Sequence, residues 1–419
     1  MSMIHLLFTP ARAAALAMLL VPAWALCDDQ DALALKSAPA PAAESADRPM
    51  RLYLEASIGR VEQRYGLPAL TARRLLMDFN YNQKLGDGWR FALSDRLDYV
   101  DPPAVTGQST INSLREAYVS WQDEGGSRSA EFGRVNLRNG PAYGYNPTDY
   151  FRETALRTIT TSDPLALREN RLGTVMLRAQ QLWAGGAVSI ALAPKLANAP
   201  SIESFNPDLG ATNRQNRALV SWSAQATDRF SGQVLGFYED DVGSQLGLNF
   251  TALLTDSVVG HFEWSRGRDQ VALSGEAATI ATRNRLSAGA TYTTPTKLAL
   301  TAEYEYNGFA PDSAAWSAAG VDALGAYLIR SLSSQEIGSR NAWTFYAVQK
   351  NAVWKGLDMS ALLRLNADDD SRLGWIELRY HWPRFDAALQ WQSTHGAPMT
   401  EYGLPPSKRS IKLLGAWYF

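Results

Sequence analysis

The sequence predicts an all-β protein, specifically a transmembrane antiparallel up-and-down β-barrel, with 18 strands. Three observations support this prediction. Many segments of about ten residues alternate apolar with polar or small side chains, no apolar stretch beyond the N-terminus approaches the length of a membrane-spanning helix, and short turns alternate with longer connections. A chain of 419 residues is long enough for one large barrel.

The composition excludes several classes of protein. Apolar residues make up 46% and charged residues 20% of the chain, so we expect it to fold rather than remain disordered. The 40 basic residues nearly balance the 42 acidic residues, and we expect no nucleic-acid partner. Cys27 is the only cysteine of the sequence and there are four histidines, so we expect no disulfide framework, no metal site and no other cofactor.

The first 25 residues are typical of a secretory signal peptide, with Arg12, an apolar run over residues 13–21 and a small-residue pattern ending at Ala25. Cleavage is expected after Ala25. The alternative, an uncleaved membrane anchor, needs roughly 20 apolar residues, and the run is shorter. Retention or lipidation of Cys27 is a further alternative, although Leu26 stands where a lipoprotein signal has a small residue.

Two regions follow the signal peptide. Residues 26–49 are rich in Ala, Pro and Ser without periodicity, which predicts a flexible periplasmic leader. Residues 50–419 are predicted to form the barrel, with a long loop at residues 138–170. Export together with the barrel pattern predicts a location in the outer membrane of a Gram-negative bacterium, with outer-membrane lipid and lipopolysaccharide as partners.

The predicted strands carry an apolar stripe on one face and polar or small residues on the other. Residues 243–255 place Leu246 and Leu248 on the apolar face, and residues 296–306 and 356–366 repeat the pattern. A β-sandwich would also alternate, but strands of about nine to eleven residues suit a tilted bilayer crossing and are long for a sandwich. We therefore expect the apolar stripes to face lipid and the polar stripes to face a lumen.

The strand count follows from the turns. An additional strand is assigned to residues 51–58, because a strand must rise from the leader before the next one descends to the turn at Gly86 and Asp87. The total of 18 is even, as expected of a bacterial single-chain barrel. A total of 16 stays open if one hairpin is wrongly assigned. The predicted strands begin near residues 51, 71, 89, 114, 129, 171, 186, 215, 230, 243, 257, 283, 296, 340, 356, 371, 384 and 408.

The last predicted strand, residues 408–419, has an apolar stripe that includes Leu413 and Trp417 and ends on Phe419. This ending resembles bacterial outer-membrane barrels generally, whose last strand is recognised by the barrel-assembly machinery. The resemblance implies that Leu413, Trp417 and Phe419 form the barrel-assembly signal. The chain also has 13 Trp and 17 Tyr, many near predicted strand ends, which is typical of interfacial girdles.

A closer resemblance covers residues 114–152. The runs are LREAYV at 114–119, FGRVN at 132–136 and NPTDYF at 146–151. They are similar to the early hairpin and following loop of porin-like barrels related to the alginate-export family. The resemblance implies an 18-stranded outer-membrane channel for diffusion or export of a polar solute, an oligosaccharide or a polysaccharide, in the export case with periplasmic partners.

The charges predicted to face the lumen depart from this family, because an alginate exporter should present a mostly basic lumen to its polyanion. Acidic and basic positions are mixed in this sequence, so the resemblance does not imply a particular solute. Such a lumen selects by size, hydration and charge without covalent chemistry. The predicted pore-lining residues are Arg74, Asp78, Arg96, Glu116, Arg178, Glu303, Arg364, Glu377 and Arg379.

The long loop at residues 138–170 is predicted to constrict the lumen, because the wall side chains of an 18-stranded barrel do not fill it. Pro147 favours a local turn. We expect Tyr150 and Phe151 to anchor the loop against the inner wall, with Asp149 and the arginines facing the passage. An external cap packed on neighbouring loops is the alternative. The residues assigned to the constriction are Arg138, Tyr143, Tyr145, Asn146, Pro147, Thr148, Asp149, Tyr150, Phe151 and Arg152.

Two other functions stay open. One is a non-conducting outer-membrane scaffold or receptor, because the sequence does not show whether the lumen is open. The other is an outer-membrane hydrolase, which needs a histidine beside a nucleophile. His261, His381 and His395 follow the signal peptide, but no Gly-x-Ser-x-Gly motif accompanies them. We therefore expect no enzymatic activity.

Overall fold

The computed structural model describes residues 49–104, 106–273 and 279–419. The predicted signal peptide at residues 1–25 lies outside the described residues, as does the predicted leader up to residue 48. The described chain is mostly β-structure. Its strands are β1 (Met50–Gln63), β2 (Leu70–Gly86), β3 (Trp89–Asp101), β4 (Thr110–Gln122), β5 (Arg128–Val135), β6 (Thr174–Trp183), β7 (Gly186–Ala193), β8 (Arg217–Thr227), β9 (Phe230–Glu239), β10 (Gly243–Thr255), β11 (Val258–Val271), β12 (Thr279–Thr293), β13 (Leu298–Asn307), β14 (Asn341–Gln349), β15 (Leu357–Asn366), β16 (Arg372–His381), β17 (Phe385–His395) and β18 (Ser407–Tyr418).

These strands form one antiparallel sheet that closes into a barrel. Each strand pairs with its neighbours in the chain, and β1 pairs with β18 as well as with β2. The predicted all-β up-and-down barrel and its 18 strands are therefore confirmed, and the alternative of 16 is wrong. The boundaries differ in places. For example, β4 begins at Thr110 rather than near residue 114, and β12 begins at Thr279 rather than near residue 283.

Short turns and long connections lie at opposite ends of the barrel, which we call the turn end and the loop end. The turns at residues 87–88, 184–185 and 228–229 lie at the turn end. The connections at residues 136–173 and 308–340 lie at the loop end. Because the number of strands is even, β1 begins and β18 finishes at the turn end.

The helices of the described chain lie in connections of the loop end. They are α1 (Pro164–Glu169), α2 (Leu209–Thr212), α3 (Ser313–Ala318) and α4 (Val321–Ser333). α1 begins where the Asp163 carboxylate accepts a hydrogen bond from the Leu165 N–H at 3.1 Å, which satisfies an amide left free at the helix start. α4 buries Leu324 and Leu328. In the ranges that the structure describes, none of the helices has the length and apolarity needed to span a membrane.

Alternation along the strands separates a polar inner face from an apolar outer face. In β11 the buried Glu263 and Ser265 alternate with Phe262 and Trp264, which lie on the outer face. Large apolar side chains such as Leu75 are exposed on that face. Aromatic residues gather near the strand ends, as expected of a membrane barrel. The exposed ones include Trp89, Tyr99, Trp183, Tyr292, Trp382 and Trp417.

The wall has a gap beside β4 that another segment fills. β5 pairs with residues 117–122 of β4, so the part of β4 nearest the loop end has no strand partner on that side. Residues 201–208, which we call the strap, lie there instead. The Asn112 N–H donates to the Ser204 carbonyl of the strap at 2.7 Å. This contact satisfies a backbone group of β4 that β5 does not reach.

Two arginines hold the strap against the wall. The Arg134 guanidinium, which is buried, donates to the Pro207 carbonyl at 2.5 Å. The Arg157 guanidinium donates to the carbonyls of Asn112 at 2.6 Å and of Asn206 at 2.8 Å. Arg157 therefore bridges β4 and the strap, and it belongs to the long connection between β5 and β6.

Candidate functional site: a charged lumen crossed by one loop

The inner wall of the barrel carries acidic and basic side chains on many strands. Alternation directs these side chains to the same face as the buried polar residues of each strand, opposite the exposed apolar residues. All of the predicted pore-lining residues lie at inner-face positions of the barrel. They are Arg74 and Asp78 on β2, Arg96 on β3, Glu116 on β4, Arg178 on β6, Glu303 on β13, Arg364 on β15, and Glu377 and Arg379 on β16.

Ion pairs join many of these inner-wall charges. Arg74 on β2 contacts Glu55 on β1 and Asp98 on β3, each at 2.8 Å, and Arg96 contacts Asp98 at 3.1 Å. Asp98 is fully buried. Removing one partner of such a buried pair leaves the other charge uncompensated, which costs several kcal/mol, on the order of 3–5. This part of the wall is therefore a rigid set of opposite charges.

Further ion pairs continue around the barrel. Arg178 of β6 contacts Glu131 of β5 at 3.1 Å, and both side chains are about one fifth exposed, at 23% and 22%. Arg379 contacts Glu377 within β16 at 2.9 Å. The inner wall thus carries charges of both signs, many of them in ion pairs, which agrees with the mixture of charges expected from the sequence.

The connection between β5 and β6, residues 136–173, folds into the barrel, and we call it the inner loop. Its first arm, residues 139–151, contacts β10, β11 and β13. Its second arm, residues 158–163, contacts β3, β17 and β18 on the other side of the barrel. The inner loop therefore crosses the lumen, and the alternative of an external cap is wrong.

Two buried glutamates of the wall hold the first arm by its backbone. The Ala142 N–H donates to Oε1 of Glu263 at 2.7 Å. The N–H groups of Tyr143 and Gly144 donate to the two carboxylate oxygens of Glu303, each at 2.6 Å. Both glutamates are 0% exposed. Loop amides inside a barrel have no ladder partner, so carboxylates that accept their hydrogen bonds satisfy them with charge-assisted contacts.

Side chains of the first arm reinforce these backbone contacts. Nδ2 of Asn146 donates to Oε1 of Glu263 at 2.8 Å, and the Thr148 hydroxyl donates to Oε2 of Glu263 at 2.9 Å. The Asp149 N–H donates to the Asn146 carbonyl at 3.2 Å, which closes a turn over Pro147 as the sequence predicted. Glu263 is therefore the centre of a buried polar network that fixes the shape of the first arm.

Gly144 lies so close to the wall that no side chain fits there. A Cβ at this position would lie 2.1 Å from Oε1 of Glu305 and 2.8 Å from the Thr344 hydroxyl oxygen. The guanidinium of Arg364 also donates to the Gly144 carbonyl. The backbone itself thus contacts the wall at this point, and glycine permits that approach.

Aromatic contacts fix the end of the first arm. Tyr150 stacks on Phe237 of β9 with ring centroids 4.6 Å apart, and its hydroxyl lies 3.0 Å from Oγ of Ser265. Phe151 meets Phe237 edge-on at 5.8 Å. The guanidinium of Arg217 lies 5.0 Å from the centre of the Phe151 ring. Tyr150 and Phe151 therefore lie against the inner wall, where aromatic packing adds to their burial.

Asp149 does not face the passage, and this expectation from the sequence is wrong. Its carboxylate accepts two hydrogen bonds from the Arg171 guanidinium, at 2.9 and 3.0 Å, and lies 3.5 Å from Arg168. The side chains of Asp149 and Arg171 are each 1% exposed. A two-point pair of this kind is strong and directional, so it joins the first arm to the last residues of the inner loop.

Arg152 also lies away from the passage, because it joins the inner loop to the connection at residues 308–340. Its guanidinium donates to the Glu336 carboxylate at 2.6 Å and lies 5.0 Å from the centre of the Tyr145 ring. Burial alone would raise the pKa of Glu336, but Arg152 and Arg285 hold it below its usual range. Burial raises the pKa of Tyr145 well above its ordinary value.

The residues assigned to the constriction thus divide by exposure. Arg138 is exposed, Tyr143 and Tyr150 are half-buried, and the remaining ones are buried. The buried ones act in folding and anchoring the inner loop, because their polar atoms are directed to the wall or to the loop itself. They are Tyr145, Asn146, Pro147, Thr148, Asp149, Phe151 and Arg152.

The second arm makes lighter contacts with the opposite wall. The Thr158 hydroxyl donates to Asp98 at 3.1 Å, and Nζ of Lys412 donates to the Thr160 carbonyl at 3.0 Å. The Ser162 hydroxyl donates to Gln392 at 2.8 Å. Burial raises the pKa of Asp163, the last residue of this arm, to about 6.

The two sides of the inner loop pack closely against each other. A cavity of only about 10 Å³ separates them, and its lining includes Gly144, Asp149 and Pro164. A space of this size is at the lower limit for one water molecule. The first arm of the inner loop is therefore packed closely against the segment that begins at Pro164.

Several residues that hold the loop were not assigned to the site from the sequence. Glu263 follows the ordinary alternation of β11, and nothing in the sequence distinguishes it from other inner-face charges. Arg171 lies one residue beyond the predicted end of the loop. Thr158, Thr160 and Ser162 of the second arm carry no local signal, because their contacts are distant in sequence, from 60 residues for Thr158 to 252 residues for Thr160.

Comparisons with known proteins agree with this geometry. No protein-family model matches the chain, and no curated protein matches it in sequence. Among solved structures, the outer membrane protein OpdK of Pseudomonas aeruginosa is similar over 88% of this chain and 98% of its own, with a TM-score of 0.53 and 8% identity.

Two proteins of Acinetobacter baumannii are similar over the same 88% of this chain. OccAB1 is covered over 96% of its length, with a TM-score of 0.57 and 9% identity, and OccAB3 over 98%, with a TM-score of 0.52 and 9% identity. At such identities the likeness concerns the fold. The chain therefore has the fold of an outer-membrane, porin-like β-barrel, and these comparisons do not single out the alginate-export family.

Proposed function

We propose that this porin-like barrel is an outer-membrane channel for small polar solutes, in which the inner loop sets the width of the passage. The observation that carries this proposal is the position of the inner loop. It lies across a charged lumen and is attached to both sides of the wall. A loop that only capped the barrel from outside would not form hydrogen bonds with carboxylates deep on the inner wall.

The charges of the wall support a passage for polar solutes of either sign. Opposite charges alternate around the barrel and compensate one another, so a solute meets polar groups without a net field of one sign. Exposed Arg138 and the partly exposed pair of Glu131 and Arg178 remain accessible beside the inner loop. We assign the passage to this side, along β4 to β6.

The width of the passage favours small solutes. The inner loop contacts the wall on both sides of the barrel, so it reduces the cross-section that a solute can use. We therefore propose monosaccharides, short oligosaccharides and small polar metabolites as the class of solute, moving by diffusion. Export of a polysaccharide with periplasmic partners is the less favoured form of the same function, because a polymer needs a wider and more uniform path.

The proposed orientation follows from the connections. Short turns face the periplasm and long loops the exterior in barrels of this kind, so the turn end is the periplasmic end. Leu413, Trp417 and Phe419 are exposed on the outer face of the last strand and the residue after it. We propose that they form the signal for the barrel-assembly machinery, since exposed side chains at the turn end are available before the barrel closes.

Single-channel recording in planar bilayers tests the proposal. Purified barrel should give discrete openings in potassium chloride with weak ion selectivity, and liposomes that contain it should swell more slowly as the added neutral sugar becomes larger. Heat-modifiable, folded barrel that never conducts would contradict a channel and favour a scaffold or receptor. Strong selectivity for one sign of ion would contradict the proposed balance of wall charges.

A further inference from the structure

Two exposed arginines lie on the outer face of β11 at its loop end. Arg266 and Arg268 alternate with the buried Ser265 and Gly267, so their side chains leave the barrel on the side that faces lipid. Successive residues on one face of a strand are about 7 Å apart, so both guanidinium groups can contact one ligand.

On β12 the residues opposite these arginines are polar, whereas on β10 Leu246 lies opposite Arg266. In the register of β11 with β12, Arg266 lies opposite Asn284 and Arg268 opposite Thr282, and Nη1 of Arg266 donates to the Asn284 side-chain oxygen at 3.1 Å. The next outward residue toward the turn end is Trp264. The two cations therefore mark the upper border of the apolar band, just beyond an aromatic side chain.

Some other arginines of the outer face have carboxylate partners. Arg73 contacts Asp101 at 2.9 Å, and Arg409 contacts Glu62 at 3.7 Å. In the part of the chain that the structure describes, no carboxylate lies within 4.0 Å of Arg266 or Arg268, and the hydrogen bond from Arg266 goes to a neutral amide. The pair thus presents two uncompensated positive charges beside the membrane.

We propose that Arg266 and Arg268 bind a phosphate of a phosphorylated glycolipid, lipopolysaccharide, in the outer leaflet. Guanidinium groups bind phosphate through paired hydrogen bonds, and basic groups at the membrane border attract anionic headgroups. The acyl chains of the same lipid lie against Leu248, Trp264 and Leu286, which occupy one row of the outer face beneath the arginines. This inference rests on the proposed outer-membrane location.

A lipid is favoured over a free anion because the cations and the apolar row are contiguous. A free phosphate would contact only the arginines. It would bury no apolar surface against the row that contains Trp264. The site is also on the outer wall rather than in the lumen, so its occupant does not compete with a solute in the passage.

Native mass spectrometry of detergent-purified barrel tests the site. The probe is lipid A that carries two phosphates, compared with the same lipid after removal of both. Arg266→Gln/Arg268→Gln should weaken retention of phosphorylated lipid A by roughly ten- to thirty-fold. Arg266→Lys/Arg268→Lys keeps the charge and should weaken retention less, because an ammonium group lacks the paired geometry. Arg73→Gln is the matched control and should bind within about two-fold of the unmodified chain.

Equal retention of phosphorylated lipid A by the unmodified and the double glutamine barrel would overturn the inference, as would equal retention of the lipid without phosphates. Displacement of lipid A by inorganic phosphate at equal concentration would show a free-anion site and would also overturn it. Conductance of the unmodified barrel is measured in the same preparation. A barrel that binds lipid A as expected but never conducts would contradict the proposed channel alone.

Discussion

The two arms of the inner loop reach opposite walls of the barrel by different chemistry. The first arm gives its backbone N–H groups to Glu263 and Glu303, which are fully buried, and adds the aromatic packing of Tyr150 and Phe151. The second arm makes separate contacts, such as that of Ser162 with Gln392. The first arm is therefore a fixed part of the wall, whereas the second is attached by separate contacts, two of which involve the charged groups of Asp98 and Lys412.

Because of this difference, we expect the two arms of the inner loop to have different roles in the passage. Charge-assisted hydrogen bonds in a buried setting resist exchange with water, because a freed carboxylate or amide has no other partner there. The neutral hydrogen bond between Ser162 and Gln392, which is partly buried, exchanges with water at lower cost. We expect the first arm to determine whether the lumen is divided and the second arm to adjust how a solute passes.

Removal of the first arm should have the largest effect. Deletion of residues 142–152 removes the segment that contacts β10, β11 and β13, so the passage widens. We expect single-channel conductance to rise by roughly two-fold or more and discrimination among sugars by size to weaken. Unchanged conductance and discrimination in a folded deletion variant would contradict the role of the loop.

A single substitution provides a second route if the deletion variant does not fold. Gly144→Ala places a Cβ against Glu305 and Thr344, so it should displace the first arm and raise conductance in the same direction, by less. Gly325→Ala is the matched control, because a Cβ there meets no atom within 4 Å. Equal conductance of the two variants would show that close contact at Gly144 does not hold the arm.

Breaking the pair that closes the loop should have the next largest effect. Arg171→Met leaves the Asp149 carboxylate buried with the more distant Arg168, and the expected loss of stability is several kcal/mol, on the order of 3–5. Limited proteolysis within the loop and the temperature of heat modification measure this loss. Asp149→Leu/Arg171→Met removes both charges and should recover part of it, so a double variant as unstable as the single one would contradict the pair.

The pH dependence of the second arm depends on Asp163. Because the folded protein raises its pKa to about 6, through burial and through the negative charges of Glu377 and Glu169, the stability that its neutral form contributes is present below about pH 4 and is lost as pH rises through 6. Channel noise and solute discrimination should therefore change between pH 5 and 7. Asp163→Asn should remove that change, and a persistent pH dependence in this variant would assign it to another group.

The smallest effect is expected from the second arm alone. Ser162→Ala removes one hydrogen bond to Gln392, which costs about 1 kcal/mol, and should leave conductance nearly unchanged while altering sugar discrimination slightly. Swelling assays with sugars of graded size measure this difference. A change as large as that of the first-arm deletion would contradict the division between the arms.

The fold was predictable because its information is local. Each strand of a membrane barrel alternates within about ten residues, and each turn has its own residues, so 18 strands can be assigned from short windows. Pro147 marked a turn in the same way. The boundary of β4 was less predictable because its first residues pair with the strap rather than with β5.

The site was less predictable because its contacts are long-range. The sequence indicated a loop with many charges and aromatic residues, but a charge does not reveal its partner. Asp149 was expected to face the passage, yet Arg171, 22 residues later, buries it. The contact of Ala142 with Glu263 spans 121 residues, and no local pattern encodes it.

The strap links the wall of the barrel to its interior through Arg157. This arginine belongs to the inner loop, yet it binds β4 and Asn206 of the strap, and the strap fills the place that β5 leaves open. The seal of the wall therefore includes a contact from the inner loop, beside the contacts that Asn112 and Arg134 make with the strap. A barrel that does not place Arg157 at this position should therefore have a weaker side wall as well as a wider passage.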